Sequence, residues 1–160
     1  MKTLVIDDLI PCLESSLPET YRLLRASRIA VHPSVRKITL HGSRGPAGGF
    51  RPDSDIDLGI VTNVVTTEPE DEMAGSILAE VLKTCLENSE FPVEADLAAI
   101  YDRKECGLRC YDANDYPQLI CPKEETGCIG IYKIQKGFSG FVPPISEVKE
   151  AYPLITLWER

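Results

Sequence analysis

The chain has 160 residues, 43% of them hydrophobic and 26% charged. That suits one folded domain with a real core, ordinary globular material rather than a disordered chain. No apolar run approaches the roughly 20 residues that cross a bilayer, and residues 1–8, with one lysine and two aspartates, are not a secretory signal, so the expected location is the cytoplasm. The net charge of −8 is unevenly spread: eight Lys/Arg stand against four Asp/Glu in residues 1–51, and nine against 21 in residues 52–160. An acidic body repels long polyanions, so no broad nucleic-acid groove is expected.

Residues 12–32 read as a helix, because Leu13, Leu17, Tyr21, Leu24 and Arg28 recur at helical spacing. Pro18 fits an early turn, and Pro33 and His32 mark its end. Val35 to Leu40 is a strand that runs into Gly42-Ser43. Asp55 to Thr62 is a second strand, in which Ile56, Leu58 and Ile60 alternate with Asp55, Asp57 and Gly59. Residues 70–88 form a helix with one stripe at Met73, Ile77, Val81 and Cys85, and Ala74, Leu78 and Leu82 beside it. Val93 to Ile100 is the third strand. The 38 residues between Asp57 and Asp96 hold a helix and can bring the second and third strands side by side.

Farther on, residues 118–136 read as a hairpin whose arms, Gln118 to Cys121 and Cys128 to Ile134, flank a polar turn at 122–127. Residues 137–153, rich in Gly, Pro and Phe, read as loop. Leu154 to Trp158 is apolar enough to dock on the core. The expected organisation is a core over 1–100 and a C-terminal extension over 101–160 packed on the same domain. The expected class is α/β (α+β): a small mixed sheet with flanking helices and a C-terminal hairpin.

Asp55 and Asp57 lie two apart on a strand and so point to one face, while Ile56 and Leu58 point into the core. Two adjacent carboxylates repel one another unless a cation sits between them. Mg²⁺ fits, since it takes hard oxygen ligands and shares them with substrate phosphates. Asp96 is the candidate third carboxylate, a charge set deep in the apolar run Val93 to Ile100. Glu94 shares its face but reads as an edge acid. Three carboxylates on adjacent strands suit a two-metal site. Gly42 allows close backbone approach, the turn's N–H groups and the Ser43 hydroxyl can hold phosphate oxygens, and Arg44 is placed to neutralise them. His41 can touch phosphate or make a structural hydrogen bond.

Taken together, His41-Gly42-Ser43-Arg44 and Asp53-Ser54-Asp55-Ile56-Asp57-Leu58 resemble the DNA polymerase beta-like nucleotidyltransferase superfamily over residues 19–100, and in its small size the chain is similar to the minimal nucleotidyltransferase branch. The resemblance implies the nucleotidyltransferase fold and transfer of a nucleotidyl group, foremost AMP from ATP, to a hydroxyl of a protein or small molecule. By the same resemblance Asp55 and Asp57 bind two Mg²⁺ ions, Asp96 completes the catalytic metal site and helps deprotonate the acceptor, and Gly42 and Ser43 hold the triphosphate. It also implies a HEPN-type protein partner and an antitoxin role in a toxin–antitoxin pair. The alternative is a binding module of the same fold that acts on a partner by contact alone. The segment between Ser43 and Asp55 is one residue longer than usual in that family, and Pro46, Gly48 and Gly49 disfavour the short helix that follows the turn there.

The six cysteines include Cys106, Cys110, Cys121 and Cys128, which could form a four-thiolate zinc site but lack the paired knuckles of zinc ribbons. Reduced thiols are the simpler reading, with Cys85 in the core. Tyr101, Tyr111, Tyr116 and Tyr132 read as packing residues rather than base-stacking ones.

Overall fold

A computed structural model of the chain describes residues 1–9, 13–64, 72–102, 129–135, 137–142 and 154–160. Its centre is a six-stranded mixed sheet. The strands are β3 (Val35–His41), β4 (Ile56–Thr62), β5 (Ala95–Asp102), β6 (Ile129–Gln135), β7 (Phe138–Val142) and β8 (Ile155–Glu159), in the spatial order β7-β6-β5-β4-β3-β8. Only β4 and β5 run parallel. A parallel pair needs a crossover, and helix α3 (Glu72–Glu87) lies in the connection between them. The molecule is thus of the mixed α+β class, and no described helix is long and apolar enough to cross a membrane.

Alternation fixes which way each strand faces. Ile56, Leu58 and Ile60 of β4, Ile38 and Leu40 of β3, and Leu97 and Ala99 of β5 all point into one core with Leu23 and Leu24 of α2 (Pro18–Arg25) and Leu78, Val81, Leu82 and Cys85 of α3. Each fully buried aliphatic side chain there contributes roughly 1.5–3 kcal/mol. The opposite face carries Asp57, Gly59 and Val61 of β4, abreast of Asp96, Ala98 and Ile100 of β5. Asp57 and Asp96 therefore lie on the face turned away from α2 and α3.

The first part of the chain departs from a single helix over 12–32. Helix α1 (Leu13–Ser16) is separate from α2, which starts with Pro18 at its first position and ends at Arg25. Ser27 Oγ caps the end by donating to Leu23 O at 2.9 Å. Ile29–Val31 is instead a strand, β2, paired antiparallel with β1 (Lys2–Leu4). It is held to the end of α3 by reciprocal backbone bonds between Arg28 and Glu90 and by Ala30 N donating to Ser89 Oγ at 2.8 Å. β-branched Ile29 and Val31 fit a strand better than a helix once a partner exists, and that partner comes from the N-terminus. His32 accordingly follows a strand, with its Nδ1 2.8 Å from Ser34 Oγ.

Helix α3 stands where the periodicity places it, but its buried stripe is Ala74, Gly75, Leu78, Val81, Leu82 and Cys85. Met73 and Ile77 are exposed, so the stripe is rotated from the expected one.

The C-terminal strands also differ from expectation. Residues 138–142 form strand β7, where a loop was expected, and β6 lies between β5 and β7. From Ile131 to Ile134 both edges of β6 are occupied, by β5 and by β7. The hairpin seen is β6-β7, turned through Gly137 at φ +80°, and it is part of the sheet. The Gln118–Cys121 arm itself lies outside the described residues, as do Cys12, Cys106, Cys110, Cys121 and Cys128 and therefore the zinc alternative. Strand β8 docks on β3 as its apolar residues suggest, burying Leu157 and Trp158, with Lys2 and Arg160 over the Trp158 ring.

Candidate functional site

Register places three of the candidate residues in one row. His41 of β3 pairs with Asp57 of β4, and Asp57 pairs with Asp96 of β5. Neighbouring strands are about 4.8 Å apart, so an imidazole and two carboxylates stand abreast on one face. Asp55 lies two residues before Asp57, at the mouth of β4, and Ile56 N donates to Glu94 O at 2.9 Å to align the starts of β4 and β5. Glu94 itself is exposed.

The turn after β3 is shaped around Asp57. Gly42 has φ +72°, a conformation that favours glycine. A Cβ at this position would also lie 2.9 Å from the Asp57 carboxyl carbon. Both the backbone and the carboxylate therefore need glycine here. Gly45 N donates to Gly42 O at 3.0 Å and Gly48 N to Gly45 O at 3.1 Å, so residues 43–47 are successive turns and no helix follows, as Pro46 and the glycine pair lead one to expect. Ser43 sits half-buried in the first of these turns.

Arg44 is where geometry and expectation part. Its side chain is buried, Nε donates to Ser54 O at 2.8 Å, and Nη2 reaches Pro52 O at 3.3 Å and Arg51 O at 3.4 Å. The Phe50 ring covers the guanidinium, with its centroid 5.1 Å from Cζ. Arg44 is thus a clamp on the loop that delivers Asp55, rather than an open phosphate ligand. Its own carbonyl accepts from the buried Thr20 Oγ1 at 2.6 Å, tying the loop to α2. A reciprocal pair, Arg51 N to Ser54 Oγ at 2.7 Å and Ser54 N to Arg51 O at 2.9 Å, closes the last turn before Asp55. The Arg51–Asp53 ion pair beside it is fully on the surface and adds little.

Burial, and then the positive charge of Lys133, pull the His41 imidazole down to a pKa of about 4, so the ring is neutral near pH 7. Its Nδ1 is buried without a hydrogen-bond partner among the described residues, and so is Thr39 Oγ1 one step back on the same face. Burial pushes the Cys85 thiol up, away from reactivity.

The donor chemistry suits a hard divalent cation, with carboxylate oxygens beside a glycine cradle. Among the described residues no three His, Cys, Asp or Glu side chains converge closely enough to hold an ion on their own. Mg²⁺ does not require that, because it is ordinarily bound by one or two carboxylates together with substrate phosphates and water.

Two residues of this face escape a reading by motif. Lys133 pairs with Ala98 and so shares the face of Asp96. Its only signal in the sequence is a lysine in an alternating isoleucine strand. Thr39 pairs with Gly59 and lies wholly buried. The chain matches no protein family, no curated protein and no solved structure.

Proposed function

We propose that the chain is a metal-dependent nucleotidyltransferase with the fold of the DNA polymerase beta-like superfamily, moving AMP from ATP, or another nucleotidyl group, to a hydroxyl of a protein or small molecule. The observation that carries this reading is the row Asp57–Asp96 on the parallel pair β4–β5, set against the Gly42 turn that ends β3. Carboxylates in adjacent register beside a positive-φ turn are what a triphosphate and a divalent cation need in common.

In this reading the Gly42-Ser43 turn holds the triphosphate through backbone N–H groups and the serine hydroxyl. Asp55 and Asp57 would hold Mg²⁺, with Asp96 completing the site. When bound, the ion neutralises phosphate charge and stabilises the leaving pyrophosphate. Asp96 takes the proton of the acceptor hydroxyl. The freed oxygen attacks the α-phosphorus, a new O–P bond forms, and the bond to the β-phosphate oxygen breaks. Pyrophosphate leaves with that electron pair. Arg44 acts through position, by holding the loop that presents Asp55. A HEPN-type toxin is the protein acceptor this reading favours.

A contact-only module of the same fold is the second reading. It is favoured by Arg44, whose commitment to the loop removes an expected phosphate ligand. Transfer of label from nucleotides tests both. The enzyme transfers an α-phosphate label to acceptor and never a γ-phosphate label, and Asp55→Asn with Asp57→Asn abolishes the transfer. Regulation of a partner that survives both substitutions, with no α-label transferred, would establish the contact-only module instead.

A further inference from the structure

Arg44, expected to meet the nucleotide's phosphates, is bonded instead to the loop carbonyls of Arg51, Pro52 and Ser54. Asp55, Asp57 and Asp96 would repel a polyphosphate, and one divalent ion neutralises only part of its charge. Strand register puts two lysines on this face, Lys37 and Lys133. Lys37 is buried at the far end, paired with Val61 on one side and with Glu159 on the other. Lys133 is half-buried near the row itself: it stands opposite Ala98, two residues along β5 from Asp96.

From this register we infer that Lys133 of β6 is the positive group that holds the nucleotide's phosphates over the Asp57–Asp96 row. The inference rests on the nucleotidyltransferase reading and extends it to a strand outside the motif. Its location is supported by the charge that Lys133 exerts on His41 at the other end of the row. Lysine suits the task, as a compact cation on a flexible stem that serves phosphates as a point charge.

The test is calorimetry of ATP with Mg²⁺ on the full chain and on Lys133→Met, Lys133→Gln and Lys133→Arg, each checked for folding by thermal melting. Loss of one charge-assisted phosphate contact predicts about tenfold or weaker ATP binding in the Met and Gln variants. Their affinity should also depend less steeply on salt, and the Arg variant should bind nearly as the parent does. ATP binding by Met or Gln at parent strength, with the same salt dependence, overturns the inference and leaves the nucleotidyltransferase reading standing. Equal loss in Arg, Met and Gln with lowered melting temperatures shows a packing role and overturns it as well. Failure of the parent chain to bind any nucleoside triphosphate removes the underlying reading, which is a different result.

Discussion

At the residue scale, the side of the sheet on which Asp57 lies was legible because alternation within a strand is strict, whereas Asp55 stands just before β4 and alternation does not place it. Arg44 was not legible, because its partners are backbone carbonyls of Arg51, Pro52 and Ser54, whose positions exist only once the loop has closed. Replacing Arg44 by Gln should leave these groups short of donors and cost about 1–3 kcal/mol. Lys should rescue little of it, since it lacks the planar fork. Denaturant melts of the two variants check this. Gly42→Ala should strain a left-handed backbone and displace the Asp57 carboxylate. The expected result is a folded protein that has lost Mg²⁺-dependent nucleotide binding, and unchanged binding would speak against the cradle. His41 gives a pH signature in the metal-free protein. Its folded pKa of about 4 lies below the usual 6.5, so the unfolded chain binds more protons between these values. The stability His41 confers is complete above pH 6.5 and is lost as pH falls toward 4, by up to about 3 kcal/mol. Denaturant melts at pH 7 and pH 4.5 should show this loss, and His41→Gln should reduce it.

At the element scale, the strands β3, β4 and β5 and helix α3 follow from periodicity and stand where it places them. What periodicity could not settle was which stripe of α3 turns inward. Met73, Ile77, Val81 and Cys85 are as regular as Ala74, Leu78, Val81 and Cys85, and the choice depends on where the sheet lies. Leu78→Ala should therefore destabilise by about 2–5 kcal/mol, whereas Ile77→Ala should cost well under 1 kcal/mol. Comparable losses in denaturant melts would contradict the rotated stripe. β2 was hidden for a related reason. Ile29, Ala30 and Val31 continue a helical pattern, and only their pairing with Lys2–Leu4 and the bond to Ser89 makes them a strand. β7 was hidden by composition, since Phe138, Ser139 and Gly140 resemble a loop until β6 offers an edge.

At the scale of the whole molecule, the sheet separates the apolar core from the candidate site. One face is closed by α2 and α3, and the other carries the His41–Asp57–Asp96 row, with the loop 42–54 clamped at its rim by Arg44. Residues late in the chain serve this arrangement at both edges, β8 beside β3 and β6-β7 beside β5, and this is how Lys133 comes to share a face with a motif some 75 positions earlier. The most direct measurement is calorimetry of ATP, GTP, CTP and UTP, with and without Mg²⁺, on the parent chain and on the Asp55→Asn/Asp57→Asn variant. Nucleotidyltransferase chemistry at this face predicts Mg²⁺-dependent binding of at least one nucleotide that disappears in the variant while its melting temperature is kept. Absence of binding by the parent, or equal binding by the variant, would contradict it.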